Sequence, residues 1–398
     1  MRIEKSAKTA LEYPQLSDAA GPWVESERFA EMLAERNLGS RDRLLAERFH
    51  RDGFVVIDDV DITPDIDVDR MWDEIAGHCA SGRVRGDVDR ASDAWRSCVP
   101  VYEIATHPAV IDVLRMLYGR EPRPFQTLNF LHGTEQETHS DTIHFSARPA
   151  RFMCGVWLAL EDITLAQGPL HYYERSQKLP EFDYEDLGIA PITGNQTWDN
   201  PQTRERYSQY EKKISELARE SGFKRSELAI KKGSFLVWAS NLLHGGSPRQ
   251  DPILTRKSQV THYYFDDTIR FTPMFSEKSK GVYAARFIDD MITGAPIPDR
   301  INHRPVVWLP SGMRHSFQVF DAAEAERLGR HYLRRYRDVC DSAFGKPELA
   351  FSHFSRVGAR ENREFLNPER SAAKFAVREG ARQFLKFARR VKRKLTSS

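Results

Sequence analysis

Thr138-His139-Ser140-Asp141 places an imidazole and a carboxylate two residues apart. On an extended strand such residues project to the same face, so the pair predicts two ligands entering one cavity. A second histidine would complete a two-histidine, one-carboxylate set. That set leaves three positions of a ferrous ion open, which a bidentate co-substrate and dioxygen require. His244 fits the third place. It follows the apolar run GSFLVWASNLL and precedes Gly245-Gly246, where the missing side chains let the backbone turn and approach a metal closely. His139, Asp141 and His244 are therefore the expected metal ligands and the catalytic centre. A bare His-x-Asp arises often by chance; the strand context and the distal His-Gly-Gly give it weight.

Other histidines compete. His144 stands three residues after Asp141, so a continuing strand would turn it to the opposite face, as a neighbour of the ligands or on the substrate side. His132 and His171 lie in β-rich surroundings and read as structural residues. His107 precedes Pro108 and reads as a helix-entry residue. A second constellation is Thr255-Arg256-Lys257-Ser258, just before the strand-like QVTHYYF. An arginine here can face the same cavity and pair bidentately with a carboxylate. A dicarboxylate co-substrate, chelating the metal with its keto-acid end, needs such an anchor. Without the metal set, a solvated turn would be the better reading of this arginine.

The elements that must position these residues can be traced along the chain. RLLAERFHRD (43–52) reads as an amphipathic helix, stopped by Gly53 and followed by the buried strand FVVIDDV. A helical stretch runs from about Asp65 to Cys79. Residues 108–119 carry proline at the helix start and glycine at its stop. From residue 124 the character becomes β, with FQTLNFLHG, FMCGVWLAL, GSFLVWAS and QVTHYYF separated by Gly- and Pro-containing turns. Short strands without βαβ alternation imply a sandwich or jelly roll with flanking helices, mainly β in class. A charged helical insert covers about 200–228. After about residue 270 the pattern turns helical, with an Asp321-capped helix over 321–342. The expected division is an arm over 1–42, a β domain over 43–270 and a helical extension over 271–398.

The chain has 398 residues, 40% of them hydrophobic and 29% charged, with a net charge of +2. That balance suits a soluble domain with an ample core and implies no specific nucleic-acid partner. Cys79, Cys98, Cys154 and Cys340 form no C-x-x-C pair, which argues against a zinc knuckle or a thioredoxin-type site. The sparse cysteines and the absence of an apolar leader suit a cytoplasmic location. Residues 371–395 are different. Val377, Ala381, Phe384, Leu385, Ala388 and Val391 make an apolar stripe opposite a strongly basic face. Such a helix can dock on its own domain with a solvated back, lie on an anionic membrane surface, or bind a phosphorylated carrier or nucleic acid.

Several segments together resemble the phytanoyl-CoA dioxygenase family of iron(II)/2-oxoglutarate-dependent oxygenases. They are FQTLNFLHGTEQETHSDTIHFSARP, FMCGVWLALEDITLAQGPLHYYERSQKLP, KKGSFLVWASNLLHGGSP and TRKSQVTHYYF, and the opening LLAERFHRDGFVVIDDV is similar as well. The resemblance implies a double-stranded β-helix of the jelly-roll, cupin-like kind. It implies Fe(II), 2-oxoglutarate and O2 as cofactors, and hydroxylation of an unactivated carbon with release of succinate and CO2. His139, Asp141 and His244 match the metal triad. Arg256 resembles the arginine that holds the distal carboxylate of 2-oxoglutarate. Gln126 resembles an early-strand polar residue at the co-substrate, and Ser247 and Ser258 are further donors to that carboxylate; Asn129 is left unassigned. Related halogenases carry a small residue in place of the carboxylate, whereas Asp141 is retained here. The rival readings are a binding module of the same fold without turnover, and a cupin-like metalloenzyme that does not use 2-oxoglutarate, for which Arg256 discriminates. The expected substrate is a small or carrier-linked molecule. Tyr172, Tyr173, Trp198 and the insert around Arg204–Tyr210 are the candidates to line its pocket.

Overall fold

A computed structural model describes residues 21–363, except 64, 193–196, 312, 313 and 362, together with residue 365. The basic segment 371–395 and residues 1–20 of the N-terminal arm lie outside the described residues. The chain divides into two compact units, one comprising residues up to His303 with Ser311–Ser316, the other Arg304–Pro310 with the residues from Phe317 onward.

The first unit opens with helices α1 (Phe29–Glu35) and α2 (Ser40–Asp52) and strand β1 (Phe54–Ile57). Gly53 ends α2 at φ 83°, a left-handed conformation that glycine adopts without a side-chain penalty. There follow α3 (Val68–Ala80), β2 (Arg85–Gly86), β3 (Arg90–Ser92), α4 (Val99–Ala105), α5 (Pro108–Tyr118) and β4 (Pro122–Phe130). Next come β5 (Ser146–Arg148), β6 (Met153–Ala159), β7 (Leu170–Tyr173), the inserted helix α6 (Pro201–Glu220) and β8 (Arg225–Glu227). Then come β9 (Phe235–Ala239), β10 (His244–Gly246), β11 (Ser258–Phe265), β12 (Ile269–Glu277) and β13 (Val282–Ala285).

Two antiparallel sheets make the frame. One has the order β1-β9-β6-β11-β4-β3-β2, and the other is β10-β7-β8. Trp157, Trp238 and Val260 of the large sheet bury against Leu170 and Tyr172 of the small one. This is the jelly-roll arrangement of a double-stranded β-helix. The opposite face of the large sheet is covered by α2, α3, α4 and α5, whose Phe49, Met71, Ile75, Leu114 and Leu117 are fully buried. β6, β9 and β11 are buried along their whole length; β6 and β9 accordingly read as continuous apolar runs without alternation, whereas β11 carries buried polar residues such as Gln259 and His262. Residues 21–35 belong to this core, with Trp23, Val24, Phe29 and Leu33 buried and the Trp23 indole donating to Met116 O.

The helical pattern expected after residue 270 is not what forms first. β12 pairs with β5 and β13, and further strands follow as β14 (Arg300–Ile301), β15 (Arg304–Ser311) and β16 (Arg314–Val319). These segments carry β-branched and aromatic residues such as Ile269, Phe271, Val282, Val306, Val307 and Trp308 and are punctuated by proline, so they pair as strands where a helical pattern was expected. Helices begin only in the second unit, with α7 (Ala322–Arg335), α8 (Arg337–Cys340) and α9 (Pro347–His353). Asp321 caps α7 as expected, accepting from the Glu324 N–H. That unit has its own core around Val307, Phe320, Leu328, Tyr332 and Phe351. No described helix is long and apolar enough to cross a membrane.

Candidate metal centre

His139 and His244 meet as a cross-strand pair. They form an isolated antiparallel bridge in which each backbone N–H donates to the other's carbonyl, at 2.9 and 3.0 Å, and the rings lie 4.5 Å apart. The glycines after His244 make this approach possible. A Cβ on Gly245 would stand 2.6 Å from Gln136 O and 2.7 Å from the His171 ring. Asp141 does not continue a strand; it opens a 3-10 turn, Asp141–Ile143, capped by Ser140. The turn still brings the carboxylate to the two imidazoles. Asp141 Oδ1 is 3.9 Å from Nε2 of His139 and 3.9 Å from Nε2 of His244. All three side chains are buried, and their ligand atoms lie within 4.8 Å of one another.

The hydrogen bonds behind these atoms fix their chemistry. His139 Nδ1 donates to Glu137 O at 2.9 Å, and His244 Nδ1 donates to Leu242 O at 3.0 Å. Each ring therefore carries its proton on Nδ1 and presents the Nε2 lone pair to the centre, the tautomer a metal ligand needs. Burial pushes the His139 imidazole down to about 3, which keeps it neutral. Burial alone would raise the Asp141 carboxyl, but the imidazoles of His244, His262 and His139 around it reverse the direction and hold it ionised. Its Oδ2 accepts from the Trp238 indole N–H at 2.8 Å, which leaves Oδ1 for a metal. Trp238 can lie there because its cross-strand partner is Gly155, where any Cβ would fall 2.0 Å from the indole. His262 Nε2 stands 3.5 Å from the same Oδ2.

Trp238 and His262 were not found from the sequence. A signal for His262 existed, since Ser258, Val260 and His262 share one face of β11. Trp238 gave none, because β9 is apolar on both faces.

The three ligands line a cavity of about 570 Å³. Arg256 and Gln126 line it too. Arg256 is 3% exposed. Its Nη1 donates to Gly168 O, its Nε has no partner, and no carboxylate pairs with it among the described residues. Burial pushes the guanidinium down to about 10, the mark of a cation that lacks a compensating anion. Ser258 lies on the same face of β11 as Val260 and His262, with its Oγ unpartnered. Ser247 is already engaged, donating to Glu227 at 2.6 Å and accepting from Arg225 at 2.9 Å. A mixed ferrous ligand set of two neutral imidazoles and one carboxylate fits these atoms, and a dicarboxylate fits the uncompensated guanidinium.

The remaining residues distribute as follows. His144 lines the cavity, because the 3-10 turn breaks the strand period that would have turned it away. His171 holds Thr138 at 2.9 Å, His132 pairs with Asp89, and His107 caps α5. Asn129 donates to Gln259 and is not at the cavity. Trp198 and, from the insert, Tyr207 line the cavity, whereas Tyr172 and Tyr173 are core residues.

The phytanoyl-CoA dioxygenase (PhyH) family model matches residues 49–252. No curated protein matches the sequence. Among solved structures, the chain is similar to the epimerase SnoN in complex with Fe3+, alpha ketoglutarate and nogalamycin RO. Identity is 19%, coverage 70% of this chain and 98% of that one, and the TM-score 0.43. The non-heme alpha ketoglutarate dependent carbocyclase SnoK from nogalamycin biosynthesis is 12% identical over 58% of this chain and 86% of that one, with a TM-score of 0.45. EctD from S. alaskensis with 2-oxoglutarate and 5-hydroxyectoine is 18% identical over 63% and 85%, with a TM-score of 0.40.

Proposed function

The chain belongs to the phytanoyl-CoA dioxygenase family, and from that membership we propose that it is an iron(II)- and 2-oxoglutarate-dependent dioxygenase that hydroxylates an unactivated carbon of a small or carrier-linked substrate. One observation carries the reading. The His139–Asp141–His244 cluster opens on the same cavity as Arg256, a buried cation with no carboxylate partner among the described residues. A cupin-like metalloenzyme without 2-oxoglutarate would have no use for that cation.

Iron bound by the three side chains would supply dioxygen activation, so that R–H, O2 and 2-oxoglutarate yield R–OH, succinate and CO2. The chain's own residues hold and orient. His139 and His244 offer Nε2, and Asp141 offers Oδ1 while Trp238 restrains its other oxygen. Arg256 receives the far carboxylate of 2-oxoglutarate, with the free Ser258 hydroxyl on the same face and Gln126 on the cavity wall. Leu128, Phe145 and Val260 make part of the lining apolar, which limits water at the reacting carbon.

Succinate release tests the proposal without a known substrate. Slow uncoupled formation of succinate should require Fe(II), 2-oxoglutarate and O2, and should disappear in Asp141→Ala. Unchanged succinate formation in that variant would remove the assignment, and 2-oxoglutarate binding with no turnover would favour a non-catalytic module.

A further inference from the structure

Helix α6 brings a carboxyl group to the cavity that the proposed chemistry does not use. Glu211 lines the wall and is half-buried. Among the described residues it has no lysine, arginine or histidine partner. Its neighbours are instead hydrogen-bond donors. Gln136 Nε2 donates to the Tyr207 hydroxyl at 3.2 Å, and both polar side chains approach the Glu211 carboxyl. Both contacts favour the ionised carboxylate, while burial pushes its pKa up to about 7 and the nearby Glu137 opposes ionisation as well. An ionisable group in this state gains most from a cation placed beside it.

The adjoining surface suits the same guest. Tyr207, Trp198 and His144 form one aromatic patch on the cavity wall, with ring separations of 4.9, 5.1 and 5.7 Å. His144 is held neutral there, its pKa lowered to about 4 chiefly by burial. Aromatic faces attract cations, and the attraction strengthens with desolvation. The patch is close to the chemistry, because Gln136 Nε2 is 3.5 Å from His139 Nε2. Arg85 and Arg90 also line the cavity, but both are exposed at its mouth, where solvent and salt screen them.

We propose that the cavity takes a substrate bearing a cationic group, an amine or quaternary ammonium, held by Glu211 against the aromatic surface of Tyr207, Trp198 and His144. The inference rests on the reading of this cavity as the substrate site, and it places the carbon to be oxidised within a few bonds of the positive charge.

The test compares choline with its neutral isostere 3,3-dimethyl-1-butanol, which differ in charge and little in shape. Each is titrated by calorimetry into the full-length protein loaded anaerobically with Fe(II) and 2-oxoglutarate. Choline should bind about tenfold or more tightly than the alcohol. Glu211→Gln should erase the preference, and Glu211→Asp should retain part of it. Equal affinities in the wild type, binding of neither probe, or a preference that survives Glu211→Gln would overturn the proposal. The wild-type comparison decides even where a variant fails to fold. The visible charge-transfer band of the same loaded sample separates the two claims. A band without cation preference removes only the cation site, whereas a preference without a band removes the iron and 2-oxoglutarate reading.

Discussion

Trp238→Phe isolates one hydrogen bond of the metal centre. The indole N–H donates to Asp141 Oδ2 at 2.8 Å, both groups being buried, while Oδ1 faces the two imidazole Nε2 atoms. Phenylalanine keeps a ring against Gly155 and removes the donor. His262 Nε2 stands 3.5 Å from the orphaned oxygen, too far to replace a bond of normal length. A hydrogen bond to a charged group contributes about 1.5–3 kcal/mol. At about 1.4 kcal/mol per decade, that is a loss of about 10- to 150-fold in metal affinity. The range agrees with the roughly 10- to 100-fold effect of removing a partner that orients a ligand. Anaerobic Fe(II) titration against a competing chelator measures it. In an Asp141→Ala background the same substitution should have no further effect, since the oxygen it supports is gone. An unchanged Fe(II) Kd in a natively folded Trp238→Phe protein would refute the assignment of Asp141 as a ligand held by the indole.

Arg256→Ala should weaken 2-oxoglutarate binding by at least about thirtyfold, the lower end of the cost of about 2–5 kcal/mol for truncating one partner of a buried charge pair; an affinity within threefold of wild type, read from anaerobic titration, would contradict its role. Gly245→Ala places a methyl group 2.6 Å from Gln136 O, so the His139–His244 bridge must part, and Fe(II) affinity should fall with a stability loss of about 1–3 kcal/mol; calorimetric binding and thermal unfolding report both. His144 has its pKa lowered to about 4 in the folded protein, so its contribution to stability is complete above about pH 6.5 and declines as the pH falls from there toward 4. His144→Phe removes that decline, so the variant should gain on the wild type by up to about 3 kcal/mol over this window in denaturant titrations; parallel pH curves would show that His144 does not titrate in this way.

The candidate site residues were largely legible because they are punctuated. His-x-Asp is short, His-Gly-Gly ends an apolar strand, and Arg256 precedes β11; the structure places all of them around one cavity. The geometry between them was less legible. Two-residue spacing suggested a strand face for His139 and Asp141, whereas a 3-10 turn delivers the carboxylate and turns His144 inward. The hydrogen bond from Trp238 depends on Gly155, a long-range cross-strand contact that no local pattern announces. β12 to β16 were hidden because they are short or are interrupted by arginines and prolines that mask their β-branched and aromatic residues; Arg270, fully buried and paired with Asp299, is one such charge inside a strand. Glu211 sat in a charged helix where most carboxylates are solvated, and only the packing of α6 shows that it faces the cavity.

In the proposed centre His139, Asp141 and His244 bind one ferrous ion whose remaining positions take 2-oxoglutarate anchored by Arg256. Anaerobic titration of the full-length protein, first with Fe(II) and then with 2-oxoglutarate, tests it directly through the weak visible metal-to-ligand charge-transfer band that forms only when the keto acid chelates the bound iron. The band should saturate at one iron and one 2-oxoglutarate per chain, be absent in Asp141→Ala, and require far more 2-oxoglutarate in Arg256→Ala. Its absence in the wild type, or its undiminished appearance in Asp141→Ala, would show that these side chains do not hold a 2-oxoglutarate-binding iron.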